Sequence, residues 1–547
     1  MLSASVANAA AFAKWIEKIK KRPCQVVSTS HRPVPLENLV FFGGKWVLPS
    51  SIHLPKKNPK DERWRFPAPQ KEVAESLKLI ESMKLTPCIV YSSQRLSCET
   101  LAVELTNHIN PISKEMRDTL SEKLTSLIRK FEAAPFLNQK LRSLITNFAI
   151  AYHHSGLGPP ARLVIEALLK EGELRYCTAT MGLSIGINFS VRSAMVSDYR
   201  RPGADGFTQY SSSEILQMLG RAGRRGRDRV GFSLWPNHQS LQKFIPANRE
   251  NTHSQLRSDP HTFLGLVGRG FKLTDIERFY RKSFLAESSH PRTFRLLTKK
   301  YVTDIIGHCN LCRSPAREWA HRQDTEVETC ANCIRKMEKS PEILKIINQP
   351  LARIHIHLHH IECLDEDEQL TNFGSLARFF PQNGGLLLAK LFSSEELGVN
   401  TMGAATQLMA ALSVAFFKQP RTRPDYDFPF IEDGVNEELE YYYPYEIFPE
   451  LYDPPFGSRH YPVFREYNPD GGYIAQEWLR GGSWQHLVQS TCHAKFHQGD
   501  LTNCLYRTAT YLQSLSQSPM PELKSLAKEL CQQVLRPPLI LVSEQSK

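Results

Sequence analysis

The sequence predicts an α/β domain, a parallel sheet with helices on both faces, followed by a mostly α-helical region. Three observations predict it. Between residues 88 and 232, short apolar runs alternate with helix-period stretches, the order that arises when crossover helices join parallel strands. Beyond residue 233 the pattern turns mostly helical. The 547 residues are 41% hydrophobic and 23% charged, ordinary globular material for several cores.

Residues 5–20 read as an amphipathic helix, and Thr29 to Pro35 as an extended, proline-punctuated turn. A proline-bearing surface loop over 50–70 leads into a helix at about 71–84. The run CIVY (88–91) reads as a strand, with a helix at 94–108 and a long helical stretch over 113–148. Further strands are expected at 149–153, 174–178 and 194–198. His355, His357, His359 and His360 alternate with Ile354, Ile356 and Leu358, which predicts a half-buried strand face rather than a metal site. Residues 424–456 carry ten acidic residues and no basic one, an irregular acidic surface segment. From 499 the chain reads as helical until Pro537.

Net charge is +12 with pI near 9.0, a balance that favours polyanionic partners such as nucleic acid. Eight of the twelve cysteines are scattered, several within apolar runs, which suits thiols in a reducing compartment. In the first twenty residues the charges follow the apolar part, the wrong order for a secretory signal. The apolar stretch Met402 to Phe417 is broken by Thr406, Gln407 and Ser413 and is too short to span a bilayer. A cytoplasmic protein with no membrane partner is the expectation.

The strongest chemistry lies at 214–228, EILQMLGRAGRRGRD, where Gln217, Gly220, Arg221, Gly223 and Arg224 form Q-x-x-G-R-x-G-R. Spacings of four and three place Gln217, Arg221 and Arg224 near one face of a helix, so three donors would converge. Guanidinium forks match phosphate oxygens and stabilise charge that develops on a leaving phosphoryl group. Glycines permit close approach of a second surface. The competing reading is a generic basic helix face.

These residues carry a family resemblance. QMLGRAGRRGRD resembles motif VI of superfamily-two helicases, most closely the Ski-like DExH group. TATMGLSIGIN (178–188) resembles motif V, with Thr180, Gly186 and Asn188 in place; Met181 and Gly182 depart from the usual acidic residue and threonine. YHHSGL (152–157) resembles the family's tyrosine–histidine–histidine segment, and PCIVYSSQRLSCETLA (87–102) its motif IV. HRPVPLENLVFF (31–42) resembles the crossover between the two motor domains, and LSAS (2–5) resembles motif III with Ser5 for threonine.

The resemblance implies a second RecA-like motor domain working on RNA or DNA, 3′ to 5′. It implies Arg221, Arg224 and Gln217 in the catalytic role, and Gly186, Asn188, Gly220 and Gly223 at the nucleotide. Thr180, Arg95 and Arg32 are expected on the nucleic-acid backbone. The cofactor would be ATP with Mg²⁺, shared with an N-terminal RecA-like motor domain in cis or trans. No G-x-x-x-x-G-K-[ST] and no D-E-x-H follows a strand here, so the chain alone is expected not to hydrolyse ATP. Met1 is either an internal methionine of a longer frame or the start in a split gene.

TFLGLVGRGFKLTDIERFYRKSF (262–284) resembles the family's winged-helix region. LTNFGSLARFF (370–380), LLLAKLFSSEEL, AALSVAFF (410–417), EWLRGGSWQHLV (477–488) and QGDLTNCLYRTATYL (498–512) resemble its C-terminal helical domain. Between these, Cys309-x2-Cys312 and Cys330-x2-Cys333 are seventeen residues apart, spacing that suits a zinc-ribbon-like insert with structural Zn²⁺. Four unrelated buried thiols and an iron–sulfur cluster are the alternatives; His308 and His321 are not taken as ligands.

The expected divisions are 1–50, tail of the first motor domain and crossover; 51–235, second RecA-like domain; 236–300, winged-helix-like; 301–340, four-cysteine knuckle; and 341–547, helical domain with the acidic insert 424–456. The rival to a helicase part is a non-catalytic nucleic-acid-binding or scaffold module derived from one.

Overall fold

In the computed structural model, the residues described are 8–28, 32–52, 70–184, 189–203, 206–236, 241, 259–283, 341–380, 385–393, 406, 441–442, 469–491, 497–518 and 521–539. Everything below concerns these residues.

A seven-stranded sheet organises the first half. Its strands are β1 (Leu36–Phe42), β2 (Lys45–Val47), β3 (Cys88–Tyr91), β4 (Ile150–His153), β5 (Tyr176–Ala179), β6 (Ser193–Val196) and a last strand, Gly231–Trp235. The order is β2, β1, Gly231–Trp235, β6, β3, β5, β4. Each neighbouring pair is parallel except β1 with β2. In β3, β4, β5 and β6 every residue is buried, because helices cover both faces. That burial explains why these strands read as continuous apolar runs rather than alternating ones.

The connecting helices carry legible start and stop signals. Lys114–Lys130 starts at Ser113, whose hydroxyl accepts from Met116 N at 3.3 Å. Gln139–Phe148 starts at Asn138, which accepts from Leu141 N at 2.8 Å. The long helical stretch expected over 113–148 consists of these two helices. Pro159–Glu171 opens on two prolines and stops at Gly172, whose φ of +82° suits glycine. Ser212–Leu219 opens on a capping box: Ser211 N donates to Glu214 Oε2 at 2.8 Å, and Glu214 N donates to Ser211 Oγ at 3.2 Å. A two-stranded antiparallel ribbon, Arg200–Gly203 with Gly206–Gln209, precedes that helix.

Two differences from the sequence reading concern register and boundary. The crossover segment is built into this same sheet: Leu36 to Val40 pair with Gly231 to Trp235. The sheet thus begins at 36, inside the 1–50 division expected to lie before it. The second difference is the histidine group, which lies at the end of a helix, Pro341–His360, and not on a strand. Within that helix, His357 is buried with Nε2 3.0 Å from Tyr442 O, while Ile356 is 67% exposed. Period-two alternation from Ile354 to His359 is too short to exclude a helix, and here the helix buries His357 and exposes Ile356.

Residues 259–283 form two helices, Pro260–Val267 and Leu273–Lys282; the remainder of the expected winged-helix region lies outside the described residues. The four cysteines of the expected zinc insert also lie outside them, as does the acidic segment apart from Tyr441 and Tyr442. No helix among the described residues is long and apolar enough to cross a membrane.

The C-terminal helices Pro469–Leu479, Trp484–Thr491, Gln498–Leu515 and Pro521–Val534 pack together and dock on the sheet domain. Trp478 Nε1 donates to Val534 O at 2.8 Å, and Trp484 meets Phe136 of the sheet domain at 5.2 Å between ring centroids. Gly499 makes the closest approach. Its N–H donates to Gly156 O at 2.9 Å, and a Cβ there would lie 2.0 Å from Ser155 O. The substitution Gly499→Ala is therefore expected to destabilise the docked arrangement by about 1–3 kcal/mol. Urea titration should show a lowered midpoint; an unchanged midpoint would mean that the backbones are not in contact.

Candidate functional site

The helix Ser212–Leu219 ends one residue before the arginines. Gly220 is its C-cap, and its N–H donates to Leu216 O at 2.7 Å. Gly223 then takes φ of +92°. The helical periodicity that put Gln217, Arg221 and Arg224 on one face therefore does not extend to the arginines, and the three donors do not converge. This corrects the expectation from spacing. Gln217 is exposed on the helix, and the two arginines turn to different partners.

Arg221 donates from Nε to Ser184 O at 3.2 Å and from Nη1 to Phe189 O at 3.4 Å, with Nη2 also on Ser184 O. Its guanidinium lies 5.8 Å from the Phe189 ring centroid. It thus ties its own loop to the segment after β5, the one that resembles motif V.

Arg224 forms a bidentate pair with Asp228, Nε to Oδ2 at 2.8 Å and Nη2 to Oδ1 at 2.9 Å, and its backbone N–H adds a third bond to Oδ2 at 2.9 Å. Arg192 Nη1 also reaches Asp228 Oδ1 at 2.9 Å. The Asp228 side chain is only 1% exposed, while that of Arg224 is 21% exposed. Burial alone would raise the Asp228 carboxyl; the bonds from Arg224 and Arg192 outweigh it and hold it at about 2. Sequence reasoning missed Asp228. Its spacing of four from Arg224 was the available signal.

Glycines explain how the loop closes. A Cβ on Gly223 would lie 2.7 Å from Val34 Cγ1, and one on Gly231 would lie 2.4 Å from Gly223 N. The loop is pressed between the start of the last strand and the strap before β1. Gly223 therefore meets this chain's own backbone, a role not foreseen in assigning it to a nucleotide.

Arg32 is the strap's contribution. Its Nε donates to Val34 O at 2.9 Å, and Nη2 donates to Gly220 O at 2.9 Å and also to Ala222 O. Burial lowers its pKa. Its Nε and Nη2 donors lie on protein carbonyls, contacts that the expectation of a nucleic-acid role for Arg32 did not include. Arg95 likewise has a protein partner, Asp500 Oδ2 at 2.6 Å, across the junction with the C-terminal helices. The long sequence separation hid this pair.

The tyrosine–histidine–histidine segment serves the same junction. Gly156 N donates to His154 Nδ1 at 3.2 Å, so the proton sits on Nε2, which faces Glu99 Oε1 at 3.2 Å. Burial depresses the His154 imidazole, which fits that neutral tautomer. His497 meets His154 edge-on at 6.1 Å.

Thr180 follows the last residue of β5, at the carboxyl ends of the strands, and its N–H donates to His153 O at 3.1 Å. The arginine loop lies at the other end, since Ala222 bridges Val191 ahead of β6 and Arg227 reaches Glu171 O ahead of β5. The Arg221 side chain reaches back across this separation to Ser184 O, four residues past Thr180. Gly186 and Asn188 lie outside the described residues. Among the described residues no cluster of three metal-ligating side chains occurs.

The family described as the helicase conserved C-terminal domain matches residues 107–226. The ATP-dependent RNA helicase mtr4 of Schizosaccharomyces pombe is 31% identical over 275 residues, 43% of this chain and 24% of that protein. The DExH-box ATP-dependent RNA helicase DExH9 of Arabidopsis thaliana is 28% identical over 270 residues, 43% of this chain and 26% of that protein. The antiviral helicase SKI2 of Saccharomyces cerevisiae is 24% identical over 434 residues, 64% of this chain and 33% of that protein. The chain spans about a quarter to a third of the length of these relatives.

The Asp228 cluster generates a pH prediction. Its folded pKa is depressed, so its contribution is complete above about pH 4 and is lost as pH falls toward 2; a drop from 3.8 to about 2 is worth about 2 kcal/mol. Asp228→Asn should remove that acid step from the stability–pH profile and lower stability at neutral pH. A profile unchanged between wild type and variant would contradict the pairing.

Proposed function

We propose that this chain, which carries the C-terminal part of a Ski-like superfamily-two helicase, supplies the arginine side of an ATP cleft and part of a strand channel for RNA. The observation that carries the reading is the loop 220–228, where paired arginines are held at one end of a parallel sheet while Thr180 sits at the other.

The residues suit a polyphosphate. The Arg224 edge that holds Asp228 uses Nε and Nη2, and the Nη1 corner has no hydrogen bond among the described residues. Asp228 occupies the Nε and Nη2 edge and orients the remaining Nη1 corner. Arg221 is spent on neutral carbonyls of Ser184 and Phe189, which a phosphate oxygen outcompetes through charge. Gln217 is exposed one turn earlier and adds an amide donor. ATP with Mg²⁺ supplies the phosphoryl group to be cleaved, and the resemblance assigns the phosphate cradle and metal carboxylates to the N-terminal motor domain. Gly220, Gly223, Gly186 and Asn188 belong to the same proposed nucleotide face.

At the opposite end, Thr180 offers a hydroxyl with no hydrogen bond among the described residues, suited to a strand phosphate. The names of the relatives favour RNA over DNA, and translocation from 3′ to 5′ follows the family resemblance. Structural Zn²⁺ on Cys309, Cys312, Cys330 and Cys333 remains part of the proposal on spacing alone.

One observation favours the second reading, a binding or scaffold module without catalysis: both arginines have protein partners. A single comparison separates the two. Arg224→Lys keeps a positive charge for Asp228 but loses the fork. In the protein with its phosphate-binding motor domain, this variant should lower RNA-stimulated ATP hydrolysis by roughly 10³-fold, the order an arginine finger contributes. RNA affinity should stay within about twofold, since the arginine lies away from the strand surface. Hydrolysis at the wild-type rate would support the scaffold reading instead.

A further inference from the structure

The carbonyls around Arg221 are all engaged. Gly220 O and Ala222 O accept from Arg32, and Arg221 O accepts from Val191 N at 2.9 Å. The peptide that carries the arginine is thus pinned from two directions, by the entry to β6 on one side and by the strap ahead of β1 on the other. The strap adds contacts of its own. Val34 fills the space a Gly223 side chain would need, and Pro35 O accepts from Gly231 N at 2.8 Å.

The physical logic starts at the helix end. The carbonyls that close a helix carry partial negative charge and lack intrahelical donors, so a cation there is stabilising. Here one guanidinium nitrogen, Nη2, reaches both Gly220 O and Ala222 O, and the planar link to Nε on Val34 O fixes its direction. An ammonium offers a point charge with no such fork. Arg32 is half-buried and bonded to Val34 O as well, so its fork direction is set by its own strap.

We propose that Arg32 is a positioning residue for Arg221: it buckles the strap 32–35 to the turn 220–222, so that displacement of the strap shifts the arginine. The proposal rests on the reading that Arg221 serves a nucleotide. Under that reading the strap, which resembles the crossover from the first motor domain, moves when the two motor domains close. Arg32 then transmits the movement directly to the turn, without repacking the sheet.

Hydrogen exchange on the purified chain tests the clamp without any nucleotide. Arg32→Ala and Arg32→Lys should each speed exchange at the amides of Arg221 to Gly223 by roughly tenfold or more, while β3 and β5 stay protected. Affinity for a single-stranded oligouridylate should stay within about twofold for both variants, because Arg32 faces protein. Should either variant lose protection throughout the sheet, Arg32→Gln, which keeps an amide donor, is read by the same two measurements.

Unchanged exchange at 221–223 in a folded variant overturns the proposal. So does a loss of oligouridylate affinity in Arg32→Ala that Arg32→Lys restores, the mark of a phosphate contact. Arg221→Ala in the ATP-hydrolysing protein is the separate control. Full hydrolysis there would sink the nucleotide reading and leave the clamp itself intact.

Discussion

The contact between Gly223 and Gly231 is the constraint on which the rest of the site depends. Two backbones meet where neither position has room for a side chain. That contact forces the chain to leave helix Ser212–Leu219, turn under the start of the last strand, and present residues 221 to 228 at one end of the sheet. Once the turn is fixed, Asp228 falls beneath Arg224, and Arg221 faces the segment after β5. A partner carboxylate this well buried is costly unless paired, so the pairing orients the arginine side chain as much as it stabilises the fold.

The same turn sets the arginine loop and Thr180 at opposite ends of the sheet. Parallel strands have chemically distinct ends, and loops at the carboxyl ends differ from loops at the amino ends. Thr180 belongs to the first set and the arginine loop to the second. On the proposed reading, a nucleotide lies at one end and a strand at the other, with the sheet between them. The C-terminal helices add a third element, joined by Gly499 at a backbone contact and by the Arg95–Asp500 pair.

Much of this was legible in the sequence. The strands CIVY, IAYH and SAMV are short runs of strand length that alternate with helix-period stretches, so the α/β reading followed from local pattern. The motif loop was legible as composition, glycine and arginine at fixed spacing. Its geometry was not. Spacings of three and four predict one helix face only if the helix continues, and Gly220 ends it. The partners of Arg32 and Arg95 lie 188 and 405 residues away, at Gly220 and Asp500, and no local pattern predicts such contacts. Leu36 to Phe42 went unrecognised as part of the sheet because its partner strand starts nearly two hundred residues later.

The central claim is that the 217–225 loop faces a nucleotide's phosphates. The most direct measurement is photo-crosslinking with an ATP analogue whose reactive group sits on the γ-phosphate, using the protein together with its phosphate-binding motor domain and locating adducts by peptide mass spectrometry. The account predicts adducts within residues 217–225 that excess ATP suppresses. ATP-suppressible adducts confined to other parts of this chain, with none in that loop, would contradict it.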